Sequence, residues 1–218
     1  MQITFYLSEA QWSKAFEFFE KEPRMYVGDP QNLRRFVEAC FWMLRGGAQW
    51  RLLPKQYGSW NAIFKRFNAW SKNQILEHFF MFCAKDPDLE YLSIDSPIVR
   101  GHACSAGYRK DSHEEEALGR SRGGFSTKIH AKTDALGNPL KIILTKGNAS
   151  DISQAMALTE GDHDAKILAD KEAYKERHVI ECFFGKIKHF RRVFSRFDKF
   201  ARNFCAFVHL AAAHVWLR

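Results

Sequence analysis

The sequence predicts an α+β (α/β) fold in two parts, a small all-helical domain over residues 1–88 and a mixed strand–helix domain over residues 89–218. Three observations predict it. Apolar residues recur at helical spacing through the first 84 residues, and phenylalanine is unusually frequent, with 20 in the whole chain. After Lys85-Asp86-Pro87-Asp88 the pattern changes to short β-prone runs separated by turn residues. Finally, residues 174–188 place Tyr174, Arg177, Glu181 and Lys188 within an arc of roughly 60° on a helix. Ile180, Phe183, Phe184, Ile187, Phe190 and Phe194 fall on a neighbouring apolar stripe.

In the first part, Ser8 caps a helix through Trp12, Ala15, Phe16 and Phe19 to about Glu20. Residues 23–30 read as a loop. Asn32 leads into a second helix with Leu33, Phe36, Val37, Cys40, Phe41 and Leu44 on one side, stopped by Gly46-Gly47. Gly58-Ser59 opens a third, with Trp60, Ile63, Phe64, Phe67 and Trp70 on one face and Lys65, Arg66 and Lys72 on another. A fourth runs from about Asn73 to Ala84. Short helices with a basic third member fit a helix-turn-helix-like DNA-binding module, with Lys65 and Arg66 on the recognition helix. A plain helical bundle packed on its neighbour fits the same pattern.

In the second part, Leu89–Ile94 is a strand candidate ending at Asp95. Residues 101–124 read as a surface loop, most basic at Arg120 and Arg122. Phe125–Thr133 and Pro139–Leu144 form a hairpin around residues 134–138. Asp151 caps a helix, Lys166–Ala169 is a short strand ending at Asp170, and a last helix spans about Phe200–Trp216.

The formal charge is +8, with a pI near 9.3, which points toward a polyanionic partner. Every charged side chain from Arg45 to Lys72 is positive, and the stretch from Lys186 to Arg202 has seven basic residues against Asp198 alone. Two basic patches at opposite ends of the sequence suit a grip on a long polyanion at two places. The five scattered cysteines argue against a disulfide framework or zinc knuckle and predict reduced, mostly buried thiols. No signal peptide is read at the N-terminus, and the longest apolar run, Phe204–Leu217, is too short to span a bilayer. A soluble protein with no membrane partner is expected.

Asp95 and Asp170 each follow a short apolar strand, the position where side chains point into a supported crevice. Two such aspartates with a helical glutamate form the carboxylate set that holds paired Mg²⁺ ions for in-line phosphoryl transfer. Taken singly, a strand-end aspartate is more often a turn or cap residue.

The motifs then accumulate. Leu-Ser-x-x-Gln-Trp (7–12), Trp-Arg-Leu-Leu-Pro (50–54), Tyr-Gly-Ser-Trp (57–60) and Arg-Phe-x-x-Trp (66–70) stand in the first part. Asp95-Ser96-x-x-Val-Arg-x-His, the run from Ala117 to His130, Leu-Ala-Asp-Lys (168–171) and Tyr-x2-Arg-x3-Glu-x6-Lys (174–188) stand in the second. Over nearly the whole chain these resemble bacterial insertion-sequence transposases of the Asp-Asp-Glu type, in the insertion sequence family five group. The resemblance implies an RNase H-like second domain and DNA cleavage and strand transfer at transposon ends. It makes Asp95, Asp170 and Glu181 ligands of two Mg²⁺ (or Mn²⁺) ions. It also implies that Tyr174, Arg177 and Lys188 contact DNA, that the protein is cytoplasmic and nucleoid-associated, and it leaves room for a homodimer.

The chain departs from that pattern in one place. The family carries a turn, a helix, a strand and a basic loop between the second aspartate and the Tyr-Arg-Glu-Lys helix. Here only Lys171-Glu172-Ala173 intervene, as if an internal deletion followed about residue 171. A helix starting directly after Asp170 would hold Glu181 about 16 Å away at 1.5 Å per residue. An impaired catalytic site is therefore expected, in a chain that keeps both DNA-contacting ends. The alternatives are an active enzyme in which a loop after Asp170 brings Glu181 back, and a non-catalytic protein that binds transposon-end DNA. A metal-dependent nuclease or phosphohydrolase leaves the basic ends unexplained.

Overall fold

Helix α1 (Glu9–Lys21) begins at a reciprocal capping box. The Gln11 amide donates to Ser8 Oγ at 3.2 Å, and the Ser8 amide donates to Gln11 Oε1 at 3.0 Å. Helix α2 (Pro30–Gly46) starts sooner than its apolar pattern suggests. Asp29 caps it by accepting from the Gln31 amide, Pro30 supplies the preset first turn, and Gly47 ends it in the left-handed region at φ 59°. A Cβ on Gly47 would meet Arg191 Cβ at 2.9 Å, so this position needs glycine for space as well as for φ. Helices α3 (Trp60–Lys72) and α4 (Ile75–Cys83) follow, joined by the left-handed Gln74.

These coordinates are a computed structural model, which describes residues 6–105, 116–121, 123–161, 166–168 and 174–217. Past the linker the elements are β1 (Tyr91–Asp95), β2 (Ile98–Gly101), β3 (Gly119–Ser121), β4 (Gly124–Thr133), β5 (Pro139–Lys146), α5 (Ile152–Thr159), β6 (Lys166–Leu168), α6 (Tyr174–Lys188), α7 (Arg191–Phe194), β7 (Ser195–Arg196) and α8 (Ala201–Trp216). The strands form one mixed sheet. β4 is its spine and is antiparallel to β1, β2, β3 and β5, whereas β6 runs parallel to β1 and β7 parallel to β2. β1 and β2 pair with different ends of β4, opposite residues 131–133 and 126–128, so they act as one line of strand interrupted at Ser96-Pro97.

Directly paired residues share a face. Val99, Ile129, Ala131 and Ile142 form one face and belong to the same apolar cluster as the buried residues of α6 and α8. Lys128, His130 and Lys132 point to the other face, beside α5. The apolar cluster continues across the linker into α1–α4. Phe67 of α3 stacks on Phe207 of α8 at 4.3 Å, and Phe80 of α4 lies parallel to the His209 ring at 5.6 Å. Burial of each such aromatic contributes roughly 1.5–3 kcal/mol, so α8 is held by the helical part as well as by the sheet.

Three expectations need correction. Phe194 is 64% exposed, because α6 stops at Lys188 and Phe194 ends a separate turn of helix, off the buried stripe. The basic stretch from Lys186 to Arg202 is not a free cationic patch throughout. Arg192 and Arg196 are buried, the first against Asp198 and the second among the carbonyls of Asp198, Glu116, Ala117 and Lys199. Of the cysteines, Cys104 and Cys182 are exposed and Cys205 is partly so, leaving Cys40 and Cys83 buried.

Candidate functional site

Asp95 is the last residue of β1, half-buried and paired in register with Ala131, which puts it on the sheet face that α6 covers. Helix α6 lies along β1 because Ile180, Phe183, Phe184 and Ile187 form its buried stripe. Its N-terminal half touches the β4–β5 turn, where Val179 packs so closely that a Cβ on Gly137 would sit 2.7 Å from Val179 Cγ1. Its C-terminal half, through Phe184, Ile187 and Lys188, lines a pocket of about 340 Å³ with Pro97–Arg100 of the β1–β2 line. Glu181 lies between these anchor points along the helix and is exposed.

The parallel register of β6 with β1 sets Leu168 opposite Ser93. Asp95 and Asp170 each come two residues later in sequence. Asp170 and Arg122 fall outside the described residues. Tyr174 and Arg177 occupy the first turns of α6. Lys188 is exposed at the helix end, and Arg120 is exposed on β3 opposite Phe125. The two α3 candidates differ. Lys65 is exposed, whereas the Arg66 guanidinium stacks 4.5 Å from the Phe36 ring and 5.4 Å from Trp70, and burial lowers its pKa.

Among the described residues no three His, Cys, Asp or Glu side chains converge as a metal cage. Asp95 and Glu181 offer hard carboxylate oxygens of the kind Mg²⁺ and Mn²⁺ prefer, so the donor chemistry fits those ions.

A polar network on the opposite sheet face escaped sequence reasoning. Asp151 does not cap α5 with its side chain. Its carboxylate instead accepts from Lys128 Nζ at 2.9 Å and from the Ser96 hydroxyl, with His130 Nδ1 3.7 Å away, while Lys128 also donates to the Ala149 carbonyl at 2.8 Å. Partial burial pushes the Asp151 pKa up, but the Ser96 and Lys128 hydrogen bonds and the Lys128 charge outweigh it and hold the carboxyl below its usual range. Burial pushes His130 down. The network ties the residue after Asp95 to β4 and to the start of α5. The available signal was the alternation of Lys128 and His130 with apolar neighbours in a strand, which puts two basic groups on one sheet face.

These features define an α+β protein with a basic helical half and a mixed sheet whose strand-end carboxylate lies under an acid-bearing helix. Residues 7–80 match the family described as "Putative transposase of IS4/5 family (DUF4096)". The chain is 36% identical over 130 residues to a Brucella ovis protein named "Putative transposase for insertion sequence element IS6501", covering 43% of this chain and 100% of that relative. It is also 36% identical over 104 residues to the "Uncharacterized protein y4sN" of Sinorhizobium fredii, covering 48% of this chain and 83% of the relative. No solved structure matches. The chain belongs to the IS4/5 transposase family. No helix among the described residues is long and apolar enough to cross a membrane.

Proposed function

We propose that this protein acts on double-stranded DNA at insertion-sequence ends, with Asp95, Asp170 and Glu181 as the carboxylates of a two-metal phosphoryl-transfer site. The observation that carries this reading is the docking of α6 along β1 on the face that bears Asp95, beside a strand β6 held in parallel register. The same mixed order supports an RNase H-like domain over residues 89–218. Mg²⁺ or Mn²⁺ bound there would supply activation of the attacking water or 3′-hydroxyl and stabilisation of the leaving oxygen. The protein's own share is to hold Asp95 on a strand and Glu181 on a helix and to fix the phosphate backbone with Lys188, Arg177, Tyr174, Arg120 and Arg122. Residues 1–88 are the DNA-gripping, helix-turn-helix-like part. The exposed side of α3, with Asn61, Lys65 and Lys72, is the surface offered to a groove.

A second reading, a transposase remnant that binds end DNA without cutting it, is favoured by two observations. Only residues 169–173 separate β6 from α6. The Brucella ovis relative is matched in full over 130 residues by 43% of this 218-residue chain, well short of 130, so part of that relative has no counterpart here.

The test is a labelled duplex carrying the element's terminal repeat, incubated with the full chain and Mg²⁺ or Mn²⁺. Cleavage abolished by Asp95→Ala and by Glu181→Ala supports the catalytic reading. Salt-sensitive binding without cleavage in the wild type supports the remnant reading. Loss of both binding and cleavage in the wild type overturns both.

A further inference from the structure

Three Cys–His pairs occur among the described residues, and they differ in what else their atoms touch. Cys205 and His209, one turn apart on α8, are 3.9–4.0 Å from each other. Burial raises that thiol to about 12 and lowers the imidazole to about 4, and the His209 ring is packed against Phe80. Cys104 Sγ lies 3.1 Å from His102 Nδ1, but it also donates to the Phe197 carbonyl at 3.5 Å. His102 Nδ1 accepts from the Cys104 amide at 3.3 Å, and its ring packs on Phe197. His178 and Cys182 of α6 are different. Both are exposed, and His178 Nε2 lies 3.4 Å from Cys182 Sγ.

That distance has a second meaning. Two ligands bound to Zn²⁺ at about 2.3 Å through sulfur and 2.0–2.1 Å through nitrogen, set at a tetrahedral angle, stand about 3.5 Å apart. One turn of α6 therefore already holds an imidazole nitrogen and a thiol at the bite of a zinc chelate, with i,i+4 spacing and both residues exposed.

We propose that His178 and Cys182 form a two-point site for a soft divalent cation of the Zn²⁺ class, with water completing the coordination. Cys182 binds as the thiolate, its proton passing to solvent, and the imidazole binds through Nε2. The site neighbours Glu181 in sequence yet differs from it in kind. Thiolate and imidazole select Zn²⁺, Co²⁺ or Cd²⁺, whereas carboxylates select Mg²⁺ or Mn²⁺. The inference does not rest on the proposed DNA chemistry, because cation binding is measured without DNA.

The experiment titrates the reduced, chelator-treated full chain with Co²⁺ alone. The expected result is a thiolate-to-Co²⁺ charge-transfer absorption with tetrahedral d–d bands, bleached by Zn²⁺. In His178→Ala and Cys182→Ser the affinity falls about tenfold or more, whereas Cys104→Ser titrates like the wild type. Wild-type spectra retained in Cys182→Ser, or lost in Cys104→Ser, overturn the proposal. If either α6 variant loses its far-UV circular dichroism, the wild type decides. Zn²⁺ must then protect Cys182 from iodoacetamide, read by peptide mass spectrometry, while Cys104 stays reactive. Unprotected Cys182 overturns the proposal.

Discussion

Arg192 and Asp198 face each other through two parallel hydrogen bonds, Nε to Oδ2 at 3.0 Å and Nη2 to Oδ1 at 2.9 Å, with both side chains out of solvent. The remaining Arg192 nitrogen, Nη1, donates to the Ala48 carbonyl at 2.7 Å, and the guanidinium lies 4.7 Å from the Phe207 ring and 5.4 Å from Trp50. One side chain thus links the end of α2, α7 and α8. Asp198→Ala leaves the buried guanidinium unpaired and is expected to cost about 3–5 kcal/mol, measured by urea unfolding. Arg192→Met combined with Asp198→Leu should recover much of that loss, because no buried charge is left without a partner.

Acid should weaken the fold through His209. Burial holds its pKa at about 4, below the ordinary 6.5. Between these values the unfolded chain binds a proton that the folded one does not, so stability is lost as pH falls from 6.5 toward 4. The full shift is worth about 3 kcal/mol at about 1.4 kcal/mol per pH unit. His209→Gln should flatten the decline in thermal midpoint over that window, whatever it does to stability at neutral pH.

Lys65 and Arg66 are neighbours with different work. Lys65→Ala should leave stability within about 0.5 kcal/mol, weaken binding to the terminal-repeat duplex and reduce the salt slope by about one. Arg66→Ala removes the stacking on Phe36 and Trp70 and should lower stability by about 1–2 kcal/mol. Unfolding curves and salt-dependent binding isotherms separate the two effects.

Asp151 should matter to stability, modestly. Asp151→Ala removes the acceptor shared by Lys128 and Ser96 and is expected to cost about 1 kcal/mol at neutral pH, kept small because the carboxylate is largely exposed. Its pKa is depressed in the folded state. The contribution is therefore present above the ordinary carboxylate pKa and disappears as pH falls through the lower folded value, where variant and wild type should converge.

The elements that depend on neighbours in sequence were legible. The 3.6-residue spacing of Ile180, Phe183, Phe184 and Ile187 predicts the buried side of α6, though not where it stops. Ser8 predicts the start of α1, and residues 134–138 predict the hairpin turn. Phe190 keeps to the buried stripe although α6 has already ended, whereas Phe194 does not, because the chain turns at residues 189–190 and the helical phase is lost. Asp151 was readable as a helix-start residue but not as the partner of Lys128 and Ser96, since those contacts bridge 23 and 55 positions.

By itself the sequence determined the helical first half, the switch to strands at the linker, the family and the candidates Asp95, Asp170, Glu181, Arg177 and Lys188. These follow from local periodicity and from residue type at fixed spacing. The tertiary structure alone decided which charges stay available. Arg192, Arg196 and Arg66 look like a cationic surface in the sequence, yet the first two are buried among carbonyls and a carboxylate, and Arg66 is partly buried against the Phe36 ring of α2. It also decided that α6 lies along β1 on the face bearing Asp95. Spacing gives a helix its faces, but which face meets which strand is settled when the apolar cluster shared by α6, α8 and the sheet closes.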